Sequence, residues 1–382
     1  MKNRIYLDNA ATTPLLPAVF QEMAPYFTEC FGNPSGIYGT GREARRAVEN
    51  ARKRTAEALG ALPQEIYFTS GGSESDNWAI QGAAFANRGK GRHLITTAIE
   101  HHAVLYTFQW LEKQGFEVDY LPVDGNGRVD PETAERAIRK DTILISVMAA
   151  NNEIGTLQPV REIGEAARAR GILFHTDAVQ AIGAMEIRVG ELKADLLSLS
   201  AHKFHGPKGA GALYIRQGTA IGPLIHGGAQ ERSLRAGTEN VAGIAGLGKA
   251  IELAAEGIPE RAARISALRD LLIRGVREAV PGAVLNGDPV RRLPGNAHFT
   301  FPGVDGEALL LRLDLAGIAC SGGSACTSGS AEPSHVLAAL GQGPEVSRGG
   351  LRMTLGPENT EEEIRETLAV LVPLVRELRG EA

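Results

Sequence analysis

Only three cysteines, Cys30, Cys320 and Cys326, occur in 382 residues. That is too few for a disulfide framework and suits a reducing cytosol. Basic charge is not in excess either. A net charge of -5 excludes a general nucleic-acid binder, which needs a basic face. Long apolar runs are missing: Leu368–Val375, interrupted by Pro373, falls well short of the roughly 20 residues of a membrane span. The start, MKNRIYLDNA, lacks the apolar stretch of a secretory signal, so the expected location is cytoplasmic, with no membrane partner. There is no internal repeat, no low-complexity tract and no Walker-type loop, so a triphosphate is not the expected ligand. A metallohydrolase would have to be built on His101, His102, His175, His202 and His205, which show no recognisable ligand spacing.

What remains is a chain of ordinary apolar content, 43%, long enough for two domains. Its pattern alternates. Helical stretches (42–59, 73–85, 102–114, 131–139, 160–170) fall between short apolar strands (65–70, 93–99, 116–123, 142–150, 172–176, 195–201, 212–216). Such alternation means βαβ units and a mostly parallel sheet, the α/β class. After helices 241–256 and 260–280 the pattern changes to short strands and helices, read as a small α+β domain. The expected division is 16–257 for the large domain, with 1–15 and 258–382 forming the small one.

Chemistry is expected at strand ends, where open α/β sheets collect ligands. Lys203 follows the strand 195–201 and sits among Ser200, His202 and His205. A lysine in such surroundings can lose its proton near neutrality and act as a Schiff-base nucleophile; the bland alternative is a surface lysine on a glycine-rich loop. Strand 65–70, Gly71-Gly72 and Ser73 at a helix start form an anion site of unpaired N–H groups, or an ordinary cap. Asp177 is a carboxylate just past another buried strand, with Gln180 three residues on. His101 begins a helix as a ring lid or an acid/base group. Arg352 can grip a carboxylate through two parallel hydrogen bonds. The Gly/Ser loop 321–334 holds one thiol, Cys326.

A phosphate cup, a carboxylate for a pyridinium nitrogen and a Schiff-base lysine are what pyridoxal 5'-phosphate requires. The segments Asp8–Pro14, Thr69–Asn77, Glu100-His101, Asn151–Gly155, His175–Gln180, Ala201–Lys203 and Ser324–Ser328 resemble the signatures of cysteine desulfurases, most nearly those of the nitrogen-fixation and iron–sulfur-cluster type. The likeness runs almost end to end. It departs at Gly71-Gly72-Ser73, where many relatives have Gly-Ala-Thr, and at Ser321-Gly322-Gly323, where they have Ser-Ser-Gly. The resemblance implies a fold type I pyridoxal-phosphate enzyme with a seven-stranded, helix-sandwiched sheet, acting as a homodimer. It implies Lys203 as the cofactor lysine, Asp177 at the ring nitrogen and His101 stacked on the ring. Gly72, Ser73, Ser200, His202 and Thr238 of the second subunit would hold the phosphate, and Asn152 and Gln180 the phenolic oxygen. Arg352 and Asn33 would bind the carboxylate of L-cysteine. Cys326 would be the nucleophile that becomes a persulfide, passing sulfur to an acceptor or iron–sulfur scaffold protein and serving as a transient cluster ligand.

Other readings stay open at this level. Lys203 and Asp177 alone also suit a selenocysteine lyase or an aminotransferase, although an aminotransferase has no need of Cys326. Cys326 could merely relay sulfur, or pair with Cys320.

Overall fold

All strands of the main sheet but the edge strand Glu117–Leu121 are buried along nearly their whole length, which requires cover on both faces. The structure, a computed structural model, describes residues 4–322 and 334–381. Its strands are β1 (Ile5–Tyr6), β2 (Ile66–Thr69), β3 (His93–Thr97), β4 (Glu117–Leu121), β5 (Thr142–Ser146), β6 (Leu173–Asp177), β7 (Leu196–Ser200), β8 (Gly211–Ile215), β9 (Val284–Asn286), β10 (Asn296–Thr300), β11 (Ile318–Ala319) and β12 (Gly350–Thr354). The seven-stranded sheet runs β2-β8-β7-β6-β5-β3-β4. Side chains alternate across it as the two-residue period dictates. Ile66 and Phe68 enter one apolar cluster with Val48 and Leu247 of helices Gly39–Leu59 and Val241–Ala255. Tyr67, between them, enters the other with Trp78 and Phe108 of helices Gly72–Asn87 and His102–Lys113.

This is the α/β architecture expected, with one departure inside the sheet. β8 runs antiparallel to both of its neighbours, β7 and β2, whereas the other pairings are parallel. The reason is length. The link from β7 to β8, residues 201–210, is shorter than the crossover of about a dozen residues that a parallel return needs. That short link carries Lys203.

A further apolar cluster gathers Ile5 and Leu7 with residues from Ile265 to Val375. It surrounds the antiparallel sheet β12-β10-β9 and the parallel pair β1-β11, so the first strand of the chain packs with its last third. Helix Glu361–Leu378 closes this unit and begins with the capping box that Thr360 and Glu363 announce in the sequence. Among the described residues no helix is long and apolar enough to cross a membrane.

Candidate active site

The carboxyl ends of β5, β6 and β7 and the start of helix Gly72–Asn87 open on one cavity of about 230 Å³. Ten of the residues singled out in the sequence line it: Gly72, Ser73, His101, Asn152, Asp177, Gln180, Ser200, His202, Lys203 and Arg352.

At one end the cavity is built to receive an anion. Helix Gly72–Asn87 aims its first N–H groups there. Close approach of backbone makes the turn possible. A Cβ on Gly211 would meet Gly71 Cα at 2.6 Å, and one on Gly72 would meet Val179 Cγ2 at 2.7 Å. Ser200 ends β7 beside this turn, and His202 bonds Thr12 Oγ1 at 3.1 Å through Nδ1. Burial and the nearby charge of Lys203 hold the His202 imidazole down at about 4, so it is neutral at pH 7.

Toward the centre, Lys203 donates from Nζ to the carbonyls of Ala10 at 2.5 Å and Ala11 at 2.9 Å. Gln180 Nε2 reaches the same Ala10 carbonyl at 3.0 Å. Asp177 is buried, and its Oδ1 accepts from Val179 N at 2.9 Å. Burial raises its carboxyl to about 6, while the Val179 N–H and the Lys203 charge pull the other way, so it is mainly ionised at neutral pH. The neighbouring Asp76 is raised well above the ordinary carboxylate range, by its own burial and then by the Asp177 charge. Its Oδ1 lies 3.7 Å from His175 Nε2, but burial holds His175 at about 3, so the imidazole is neutral and the contact is not an ion pair. His175 is fixed instead between the hydroxyls of Ser146 at 2.8 Å and Ser198 at 3.0 Å.

His101 caps helix His102–Lys113 by accepting from Ala103 N through Nδ1 at 3.1 Å, which leaves the proton on Nε2. Burial, then the Lys203 charge, lowers it to about 4. Across the cavity Arg352, on β12, is 1% exposed. Its Nη2 pairs with Asp8 Oδ1 at 2.9 Å and its Nη1 donates to Asn152 O at 3.0 Å.

Sequence reasoning gave no role to Asp8, Asp76 and Glu153, which it held only within the signature segments, and it passed over His335. Asp8, Ala10 and Ala11 stood in an Asn/Thr-rich entry turn, and that turn is the only local sign that the segment closes on Lys203. Glu153 lines the cavity and accepts from Ser334 Oγ at 2.5 Å. His335 lines it too, bonded to Glu100 O at 2.9 Å.

Asn33 and Thr238 do not line this cavity. Both are exposed, and the Asn33 carboxamide is engaged locally, accepting from Ser35 N at 2.9 Å. Cys326 lies outside the described residues. Cys320 is a free thiol that burial, and then Asp8, push up to about 12, so it is a poor nucleophile. Among the described residues no group of three or more His, Cys, Asp or Glu stands ready for a metal ion.

Does this cavity suit pyridoxal 5'-phosphate? A helix N-terminus with two hydroxyls and a neutral imidazole forms one end. A buried carboxylate under the charge of Lys203, two amides and a second imidazole line the same space. The residues present fit the group.

Comparison with known proteins agrees. The aminotransferase class-V family profile matches residues 5–366. The chain is 58% identical over 376 residues to "Cysteine desulfurase IscS" of Methanosarcina thermophila, covering 98% of this chain and 93% of that one. Among solved structures, a "NIFS-like protein" superposes with a TM-score of 0.92 at 41% identity, covering 98% of this chain and all of its own. A structure titled "SspA in complex with cysteine" superposes at 0.82 and 38% identity, covering 93% and 100%. With the fold, the cavity and these likenesses in agreement, the chain belongs to the aminotransferase class-V family and, within it, to the cysteine desulfurases, whose members depend on pyridoxal phosphate.

Proposed function

We propose that this cysteine desulfurase holds pyridoxal phosphate in the cavity around Lys203 and removes sulfur from L-cysteine onto Cys326, releasing L-alanine. The observation that carries the reading is the meeting of Lys203, Asp177, the Gly72–Ser73 helix start and Arg352 in one buried space. When bound, pyridoxal phosphate supplies an electrophilic carbonyl carbon for an amine and an electron-withdrawing ring. Gly72, Ser73, Ser200 and His202 would hold its phosphate, with Thr238 of a second copy. Asp177 would keep a proton on the ring nitrogen, His101 would lie against the ring, and Asn152 and Gln180 would bond the phenolic oxygen.

Arg352 offers its planar fork to the substrate carboxylate, and Asp8 and the Asn152 carbonyl hold that fork in place. Asn33 is assigned a supporting role toward the same carboxylate. Lys203, a few ångströms of flexible stem from its backbone, is placed to take the Cα proton of a cysteine seated there. The Cys326 thiolate then attacks the substrate sulfur. A sulfur–sulfur bond forms and the Cβ–S bond breaks; its electron pair stays with carbon, which takes a proton and leaves as the methyl group of alanine. The persulfide passes to an acceptor such as an iron–sulfur scaffold protein. In this reading residues 16–257 hold the cofactor and residues 1–15 with 258–382 carry Arg352 and Cys326, a division supported by the separate apolar clusters.

The test is alanine and persulfide formation from L-cysteine by the wild type and by Cys326→Ala, with absorption spectra. A yellow mutant protein that makes no alanine supports the proposal. Continued alanine formation would remove Cys326 from the chemistry, and a colourless, inactive wild type would remove the cofactor assignment.

A further inference from the structure

The loop 226–240 contains three consecutive non-glycine residues in the left-handed region: Glu231 at φ 43°, Arg232 at 56° and Ser233 at 65°. L-residues visit that region singly, because Cβ crowds the following carbonyl, so a run of three persists only where its surroundings impose it. Those surroundings are specific. Arg52, inside helix Gly39–Leu59, meets Glu231 through two parallel bonds, Nη1 to Oε2 and Nη2 to Oε1, both 2.8 Å, and both side chains are buried. Glu231 Oε2 also accepts from Phe68 N at 3.0 Å, and the Arg232 guanidinium lies 4.4 Å over the Tyr67 ring. The turn is thereby fastened to β2, the edge strand that runs directly into the Gly71–Ser73 anion cup.

Past the turn the chain emerges as Gly237-Thr238, exposed and not among the residues that line its own cavity. A buried ion pair is a poor device for stability alone, since apolar residues of similar volume often do as well; in some proteins its use is to fix one geometry. We propose that Arg52 and Glu231 are positioning residues for cofactor binding. Their fork holds the left-handed turn and so presents Thr238 as a phosphate ligand to the cavity of a second copy of the chain. This rests on the reading above that Thr238 serves the partner's site.

The experiment uses Glu231→Gln and, because that change leaves the buried Arg52 charge to its 3.2 Å contact with the exposed Glu49 and could unfold the chain, the apolar double variant Arg52→Met with Glu231→Leu. In the folded variants trypsin should cut after Arg232 or Arg235 about tenfold faster or more. The Kd for pyridoxal phosphate, titrated into apoprotein, should rise by about tenfold or more. Each variant is also co-expressed with Lys203→Ala, itself inactive. In a mixed dimer the intact Lys203 of one chain would face the intact turn of the other, restoring about one site in four for random two-fold pairing. A matched pair, Thr238→Val with Lys203→Ala, tests the reading beneath. Should that pair regain activity while the Arg52 and Glu231 variants do not, or should those variants resist trypsin and bind cofactor as the wild type does, the positioning role is wrong. If neither pair regains activity, Thr238 does not act across subunits and the proposal falls with it.

Discussion

Ionisation in this site is decided residue by residue, by burial and by the nearest charge. Glu100 shows it most simply. Its Oε1 accepts from Thr97 Oγ1 at 2.7 Å and Met148 N at 2.9 Å, yet burial and the charge of Asp177 keep its proton on until about 8. A carboxyl raised in the folded state from its ordinary 4.5 contributes stability that is complete below that value and is lost as the pH climbs to about 8. The melting temperature of the apoprotein should therefore fall between pH 5 and pH 8.5, and fall less in Glu100→Gln; equal falls in the two proteins would show that Glu100 ionises freely. Arg352 makes a different case. Lysine keeps the charge but not the two-pronged geometry, so Arg352→Lys should raise KM for L-cysteine about tenfold or more and change kcat less. A change confined to kcat would place Arg352 elsewhere in the reaction.

At the scale of elements, the anion cup depends on β8 lying against the Gly71 turn. Alanine at Gly211 would force its Cβ within 2.6 Å of Gly71 Cα, a backbone atom that cannot swing away. Gly211→Ala should cost about 1–3 kcal/mol in urea unfolding and weaken the binding of pyridoxal phosphate together with it. Gly190, whose added Cβ would meet nothing within 4 Å, is the control: Gly190→Ala should stay within about 0.5 kcal/mol of the wild type. If both substitutions behave alike, packing at the turn is looser than these distances state. The strand itself was legible as an apolar run between glycines. Its direction was not, because direction follows from the length of the link before it.

For the whole molecule, exposed apolar side chains concentrate in one stretch: Phe20, Phe27, Phe31, Ile37 and Tyr38 are between 58% and 89% exposed. Large exposed apolar groups in company mark an interaction surface, in accord with the proposed homodimer. Replacing Phe31 and Ile37 together by Asp should shift sedimentation at micromolar concentration from dimer toward monomer. It should also remove the dependence of the melting temperature on protein concentration. An unchanged dimer would show that another face makes the contact.

Much of this protein could be read without coordinates, and the reason is locality. The helix and strand order, the turn at Gly71-Gly72 and the placing of Asp177 and Lys203 just at or past strand ends all follow from periodicity and punctuation within about ten residues. What tertiary structure alone decided involves residues far apart in the chain. Asp8 and Ala10 close on Arg352 and Lys203 because β1 packs beside β11, and Arg52 finds Glu231 because β2 lies at the sheet edge next to β8. Pattern fixes which face a side chain presents, but its partner and its charge depend on what packs against that face, and burial sets the cost of every ion left without a partner.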